Sequence, residues 1–372
     1  MAAHKTSAWP LAQAYAALIV YASLYPFEGW RDQGIAPWAF LASPWPRWWT
    51  GFDVVANVLG YAPLGFLFAL AWMRQATRGG AAQQDSAIVA ATLAGGALSL
   101  AMEALQTYLP ARVPSNLDFG LNFLGALTGA VLARGLERVG AIAHWSRLRN
   151  RWFVRDARGA LVLLALWPLA LVFPASVPLG LGQVFERVEA GLAEWLEDTP
   201  FLEWLPMRDL ELQPLVPGVE LVVVALGALV PCLLGYSVMR SMLRRVTLTV
   251  FALVIGIGVT ALSAALSWGP MHAWAWMSPA VQLGLAVGLA LALLALPLPR
   301  RGCAALLLLA MVVHLSLLNQ APESAYFAST LRSWEQGRFI RFHGLSQWLG
   351  WFWPFVTLAY VVVRLSSRDA ED

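Results

Sequence analysis

Apolar positions along this chain do not alternate with polar ones. They run on in long blocks at about residues 9–26, 54–73, 87–109, 119–136, 160–177, 219–239, 247–266, 279–299, 303–319 and 347–364. A bilayer crossing takes about 20 mostly apolar residues, because main-chain groups in hydrocarbon must be satisfied within a helix. None of the ten blocks shows the ten-residue alternation of a barrel strand. The pattern predicts an all-α, polytopic transmembrane bundle of about ten spans.

Composition agrees with the pattern. The chain is 59% apolar and 13% charged, with 19 Trp, and its mean hydropathy is +0.62. A soluble domain averages about 45–50% apolar and 25% charged. The excess charge is only +3, so composition points to membrane lipids as partners and away from nucleic acid. The two cysteines, Cys232 and Cys303, fall in or at predicted spans and do not suggest a disulfide framework.

Basic residues in short loops mark the cytoplasmic side. With the N-terminus inside, 17 of the 25 Lys and Arg fall on that side, and ten spans return the C-terminus to it. Lys5 precedes the first block, but no small-residue cleavage site follows, so that block reads as an uncleaved anchor. Three regions result: a four-span part over 1–140, a basic cytoplasmic loop over 141–159, and a six-span part over 160–372. The last carries two longer outward segments, 182–214 and 322–346. In the first, Val184, Val188, Leu192 and Trp195 recur at helical spacing between glutamates, as in a helix lying along the interface. The second mixes Trp334, Phe339, Phe342 and Trp348 with Arg332, Arg338, Arg341 and His343, a mixture suited to interfacial anchoring.

Polar residues inside the blocks are few, and they are patterned. "FDVVANVLG" at 52–60 and "LDFGLNFLG" at 117–125 both read Asp-x-x-x-Asn-x-Leu-Gly. Positions i and i+4 share a helix face, so Asp53 with Asn57, and Asp118 with Asn122, each line one side of a span. Both spans run from outside to inside. The span between them runs the other way and reads "SLAMEALQTYLPAR", with Glu103 about 9 Å below its outer end at 1.5 Å per residue. Ser99 lies one turn deeper and Gln106 above. The following loop supplies Arg112 and Ser115.

A charge within a span costs about 2.5–3.5 kcal/mol on insertion scales and normally faces protein or a watery cavity. The nine residues Asp53, Asn57, Ser99, Glu103, Gln106, Arg112, Ser115, Asp118 and Asn122 are therefore expected to form one outward-facing polar pocket. Helix capping accounts for Asp53 and Asp118 in part, and interhelical hydrogen bonding could make the cluster mere glue. Three acids with one arginine are more charge than packing requires. Asp53, Glu103 and Asp118 could ligate a hard cation, but Arg112 already supplies positive charge, so neither a metal nor a cofactor is expected.

The same residues carry a family resemblance. Asp53-x-x-x-Asn57, then Pro63 and Gly65, then Ser99-x-x-x-Glu103-x-x-Gln106, Arg112, and Asp118-x-x-x-Asn122 followed by Gly125 and Gly129 resemble the VanZ-like family of bacterial membrane proteins over residues 9–140. One departure is Leu117, which stands where the family often has a second acid. The resemblance implies a multi-pass protein of the bacterial cytoplasmic membrane. It also implies a link to the cell envelope and to resistance to the glycopeptide teicoplanin, without a defined reaction.

Three classes of function follow. The favoured one is binding or handling of an envelope amphiphile, a lipid-linked wall intermediate or a lipoglycopeptide. The second is a hydrolase or transferase acting on a lipid headgroup, with Glu103 or Asp118 as base and Arg112 beside the charge that develops. No nucleophile elbow, H-E-x-x-H, phosphate loop or clustered histidine supports that chemistry. The third is a secondary transporter. Such proteins use repeats but usually bind near the midplane, whereas these acids lie near one surface. His314, within the ninth block, is expected to be a neutral histidine bonded to a neighbouring helix.

Overall fold

The computed structural model describes residues 8–25, 27–46, 49, 51–75, 81–154, 156–204, 212–322 and 340–366. Of the expected outward segments, residues 205–211 and 323–339 lie outside the described residues, as do the side chains of Arg341, Phe342 and His343. Among the described residues there are α-helices, short 3-10 turns and one isolated bridge between Phe153 and Met239. The protein is an all-α, polytopic membrane protein.

Its chain divides between Leu148 and Arg149 into two compact units, inside the basic stretch. The first unit contains α1 (Ala8–Leu24), α2 (Gly51–Gln75), α3 (Ala81–Gln106) and α4 (Asn116–Arg138), and α5 (Ala141–Trp152) carries the division. The second contains α6 (Arg158–Leu171), α7 (Phe185–Leu196), α8 (Pro217–Tyr236), α9 (Met242–Trp268), α10 (Pro279–Leu294), α11 (Arg300–Leu318) and α12 (Ile340–Ser366).

Every predicted block contains a helix, and seven helices are long and apolar enough to cross a membrane. Three are shorter: α1, α6 and α10. The expected span over 160–177 ends early, at Leu171. Pro168 within α6, and Pro174 and Pro178 beyond it, withhold N–H groups that a continuing helix would use. At ~1.5 Å per residue α6 is roughly 21 Å long, short of the ~30 Å hydrocarbon core. Similarly α10 stops at Leu294, ahead of Pro297 and Pro299. The amphipathic helix expected within 182–214 is present as α7, and it buries none of its residues.

In the first unit, α2 and α4 lie parallel and almost backbone to backbone. A side chain at Gly65 would collide with the Ala126 carbonyl, and one at Gly129 with that of Ala62. A Cβ at Gly125 would stand 2.5 Å from the Val58 carbonyl oxygen. Small residues allow this approach, which dispersion and packing reward where no hydrophobic drive exists between helices. α3 runs antiparallel beside them. At one end Arg134 donates to Asp85 at 2.9 Å and also to Gln84, while Arg138 reaches Asp85 at 3.4 Å. The other end holds the polar cluster.

The second unit is built around α8, which is mostly buried. The pair Gly284 and Gly288 brings α10 against it, with added Cβ atoms 2.8 and 2.7 Å from the Leu221 and Ala225 carbonyl oxygens. Arg245 is 7% exposed and ties down chain ends, donating to the carbonyls of Leu296 and Leu298 at 2.7 Å each and of Tyr236 at 3.1 Å. Those oxygens follow or end α10 and α8, where a cation meets the negative end of the helix dipole. The ring Nδ1 of His314 donates to the Val223 carbonyl at 3.1 Å, the structural role expected of it. Cys232 and Cys303 are buried free thiols.

Candidate functional site

Pro114 and Ser115 set up the cluster by starting α4. Ser115 is extended, and its hydroxyl accepts from the Asp118 N–H at 3.3 Å, the usual N-cap bond. Its own N–H donates to Glu103 Oε2 at 2.8 Å. Glu103, on α3 and only 4% exposed, thus holds the first turn of the neighbouring helix. Since Ser115 is the cap, Asp118 is left free of that duty. Its Oδ1 accepts from Asn57 Nδ2 of α2 at 2.9 Å.

One turn deeper, Asn122 is 5% exposed and donates through Nδ2 to the hydroxyl of Ser99, which is fully buried on α3. Asn57, Ser99, Glu103, Ser115, Asp118 and Asn122 join three helices at one end of the bundle. Asp53 sits in the first turn of α2 above Asn57.

Gln106 reaches to α1, and Arg112 donates to the chain at its end. Gln106 Nε2 donates to the Ser23 carbonyl at 3.0 Å, and Arg112 Nη2 to that of Tyr25 at 2.5 Å. The last carbonyls of a helix lack intrahelical donors and carry partial negative charge, which is why an amide and a guanidinium settle there.

Two features escaped the sequence reading. Tyr61 stands one turn below Asn57 on α2, is 5% exposed, and faces Ser99 and Glu103. The i, i+4 continuation Asp53, Asn57, Tyr61 was the available signal. The second is the chain after α1, which crosses the cluster end of the bundle. Arg31 N–H donates to the Tyr108 carbonyl at 2.9 Å, Gln33 Nε2 to that of Thr107 at 2.6 Å, and Asn116 Nδ2 to that of Ser43 at 2.6 Å.

The cluster is not self-satisfied. Asn122 Oδ1 is buried without a hydrogen-bond partner, while the Tyr61 hydroxyl lies against that of Ser99. Exchanging oxygen and nitrogen of the Asn122 amide would still leave one polar atom over. Each such orphan costs roughly 1–3 kcal/mol in a dry interior. Among the described residues, no group of three or more His, Cys, Asp or Glu is arranged to hold a metal ion.

The family model for VanZ/LLP1 matches residues 4–138. Over that N-terminal part the chain is similar to the VanZ/LLP1 family. The match ends on the last residue of α4 and takes in every residue of the cluster, including Tyr61. No curated protein and no solved structure matches the chain. The six apolar helices of the second unit lie beyond the VanZ-like region, and their role must be argued from their own geometry.

Proposed function

We propose that the VanZ-like unit binds the polar part of a cell-envelope amphiphile, a lipid-linked wall intermediate or a lipoglycopeptide, at the cluster end of α2, α3 and α4. The observation that carries this reading is the unsatisfied Asn122 Oδ1, beside buried Ser99 and Glu103 and the Tyr61 hydroxyl that faces them. A cluster that only fastened helices together would saturate itself. This one holds a spare acceptor with a carboxylate near it, and so suits a guest rich in hydroxyl or amide donors, as sugars and peptides are. Exposed Trp30, Trp38, Trp45 and Trp49 in the chain around the cluster end suit a position at the membrane interface.

The site faces outward if the basic loop around Arg147 is cytoplasmic, as the charge distribution favours in the bacterial inner membrane. A cysteine at position 147 should resist an impermeant maleimide in intact cells. Labelling from outside would turn the cluster to the wrong face.

Native mass spectrometry of the full-length protein from mild detergent tests the function. A co-purified wall precursor or captured teicoplanin is expected with the native chain and is lost with Glu103→Gln, which can still accept the Ser115 N–H and so keeps the fold. Full retention by Glu103→Gln together with Tyr61→Phe would sink the reading. Loss of teicoplanin tolerance in cells carrying Glu103→Gln, at equal expression, is the matching physiological outcome.

A further inference from the structure

α5 begins where α4 stops. Gly140 takes a left-handed φ of +70°, its N–H donates to the Glu137 carbonyl at 3.0 Å, and its carbonyl accepts the His144 N–H at 2.9 Å, so the chain turns a corner at one residue. At the far end of α5, Val154 N–H donates to the Val238 carbonyl at 2.9 Å, and the Trp152 carbonyl accepts the Arg240 N–H at 3.2 Å. Val238 and Arg240 lie in the turn between α8 and α9. α5 is thus held by the end of one membrane-crossing helix and by the turn that joins two others. A helix so held runs along the membrane surface and does not cross it, and at ~1.5 Å per residue it is roughly 18 Å long.

Its residues divide by face. Ala141, Trp145, Leu148 and Trp152 recur every three or four positions and so fall in one stripe. His144 and Arg151 border that stripe on one side and Arg149 on the other, while Ala143, Arg147 and Asn150 lie further round. Among the described residues, no other helix packs along α5. Trp152 is half-buried, with the Arg244 guanidinium 5.6 Å from its ring centre. Trp145, in the same stripe, is 59% exposed.

The charge on this helix has one sign. No acidic residue occurs between Glu137 and Asp156, a stretch that holds all of α5. Arg147 and Arg151 are exposed, whereas Arg149 is half-buried and shares its Nη2 with Asn150 Oδ1 at 3.3 Å. Arg240, whose main chain is bonded to Trp152, is exposed as well. The positive face therefore draws on several arginines beside the stripe and rests on no single one.

We propose that α5 docks on an anionic leaflet, lying in its headgroup layer with Trp145 and Leu148 turned to the acyl chains and Arg147 and Arg151 reaching lipid phosphates. An indole ring suits headgroup depth, where its apolar body and its N–H both find partners. An arginine beside an apolar stripe keeps its alkyl stem in the apolar layer while the guanidinium meets phosphate oxygens. A nucleic acid would take the arginines but leave the stripe in water. Lipid, which already surrounds the spanning helices on which α5 is hung, takes both. The cluster of α2, α3 and α4 involves none of these residues and stands at the opposite end of α4, so the proposal does not rest on the reading of that site.

Spin labels on the full-length protein test the placement. Trp145→Cys on the stripe and Ala143→Cys opposite it are labelled singly and reconstituted in nanodiscs of phosphatidylcholine, alone or mixed with phosphatidylglycerol. The unsubstituted chain, whose Cys232 and Cys303 are buried, supplies the background. In mixed discs, collision with oxygen relative to a water-soluble nickel chelate should be at least about threefold higher at 145 than at 143. That ratio at 145 should fall in phosphatidylcholine alone, and Arg147→Gln with Arg151→Gln should abolish its dependence on lipid at an unchanged melting temperature. Glu103→Gln should alter neither result. Equal ratios at the two positions would leave α5 in water, and shielding of position 145 from both reagents would put a protein partner on the stripe. A ratio indifferent to phosphatidylglycerol would remove the anionic lipid. Each of these three outcomes would overturn the proposal.

Discussion

In the VanZ-like unit, the cluster of α2, α3 and α4 contains bonds from side chain to side chain between helices, Asn57 to Asp118 and Asn122 to Ser99, beside the main-chain bond that Glu103 accepts from Ser115. In the second unit, Arg245, His314, Asn319 and Trp353 bond instead to main-chain groups, the last donating to the Leu163 carbonyl at 2.7 Å. A side chain pinned to the main chain at a helix end or a broken span completes a backbone that lipid would otherwise leave unsatisfied. It is needed for the fold and has little left to offer a ligand. A network of side chains on uninterrupted helices is optional for the backbone. Its members can be spared for a guest, and Asn122 Oδ1 there is spare.

The contrast can be broken most forcefully at the glycine seam on which the cluster stands. Gly129→Val would drive α4 off α2 at the Ala62 carbonyl. A cost of ~3 kcal/mol, the upper end of overpacking penalties, should appear as lost expression or a large fall in melting temperature. Unchanged stability would mean that α2 and α4 are not held at backbone distance.

Next in size is Arg245→Met, which strips the ends of α8 and α10 of three donated bonds. It should destabilise by about 2–3 kcal/mol, as loss of charged hydrogen bonds does. Ligand retention at the VanZ-like cluster should stay intact in the protein that remains folded. If retention falls in step, the two units are not separable in function.

Asn122→Leu sharpens the comparison from the other side. It removes an orphan acceptor along with one good bond, so stability should move by less than about 1 kcal/mol, while binding of the envelope ligand is lost. A folded Asn122→Leu protein that binds as before would make the cluster glue.

The smallest effect expected is the coupling between Asn57→Ala and Asn122→Ala. The two amides bond different partners, yet Asp118, which receives Asn57, lies one turn from Asn122 on α4. A coupling above about 0.5 kcal/mol in thermal-shift or binding measurements is expected of neighbours that share a site. Strict additivity would make the repeated Asp-x-x-x-Asn two independent helix starts.

Much of the helical layout was legible because lipid leaves the chain few choices. A long apolar run must be a helix, and the ten blocks each contain one. The Gly125/Gly129 and Gly284/Gly288 pairs also announced close contacts, since nothing larger than glycine fits where carbonyls stand under 3 Å away. Legible too was that Asn57, Glu103 and Asp118 stand at one end of their helices, which follows from helix rise alone.

What the sequence could not decide was partner choice. Gln106 and Arg112 share their level with the three acids, and both also donate to carbonyls at the end of α1, which spacing alone did not announce. Capping of α4 fell to Ser115 and Glu103, leaving Asp118 to Asn57, because which group takes a free N–H depends on distances that only packing sets. Nor could an apolar run reveal that α6 stops at Leu171 and that the following chain turns back among α8, α9 and α11. Hydropathy reports the solvent that a segment prefers, and 172–184 is as buried as a span. Its helix ended because prolines withheld the bonds, and its place in the interior came from tertiary packing against Gly227 and Gly256, glycines that left it room.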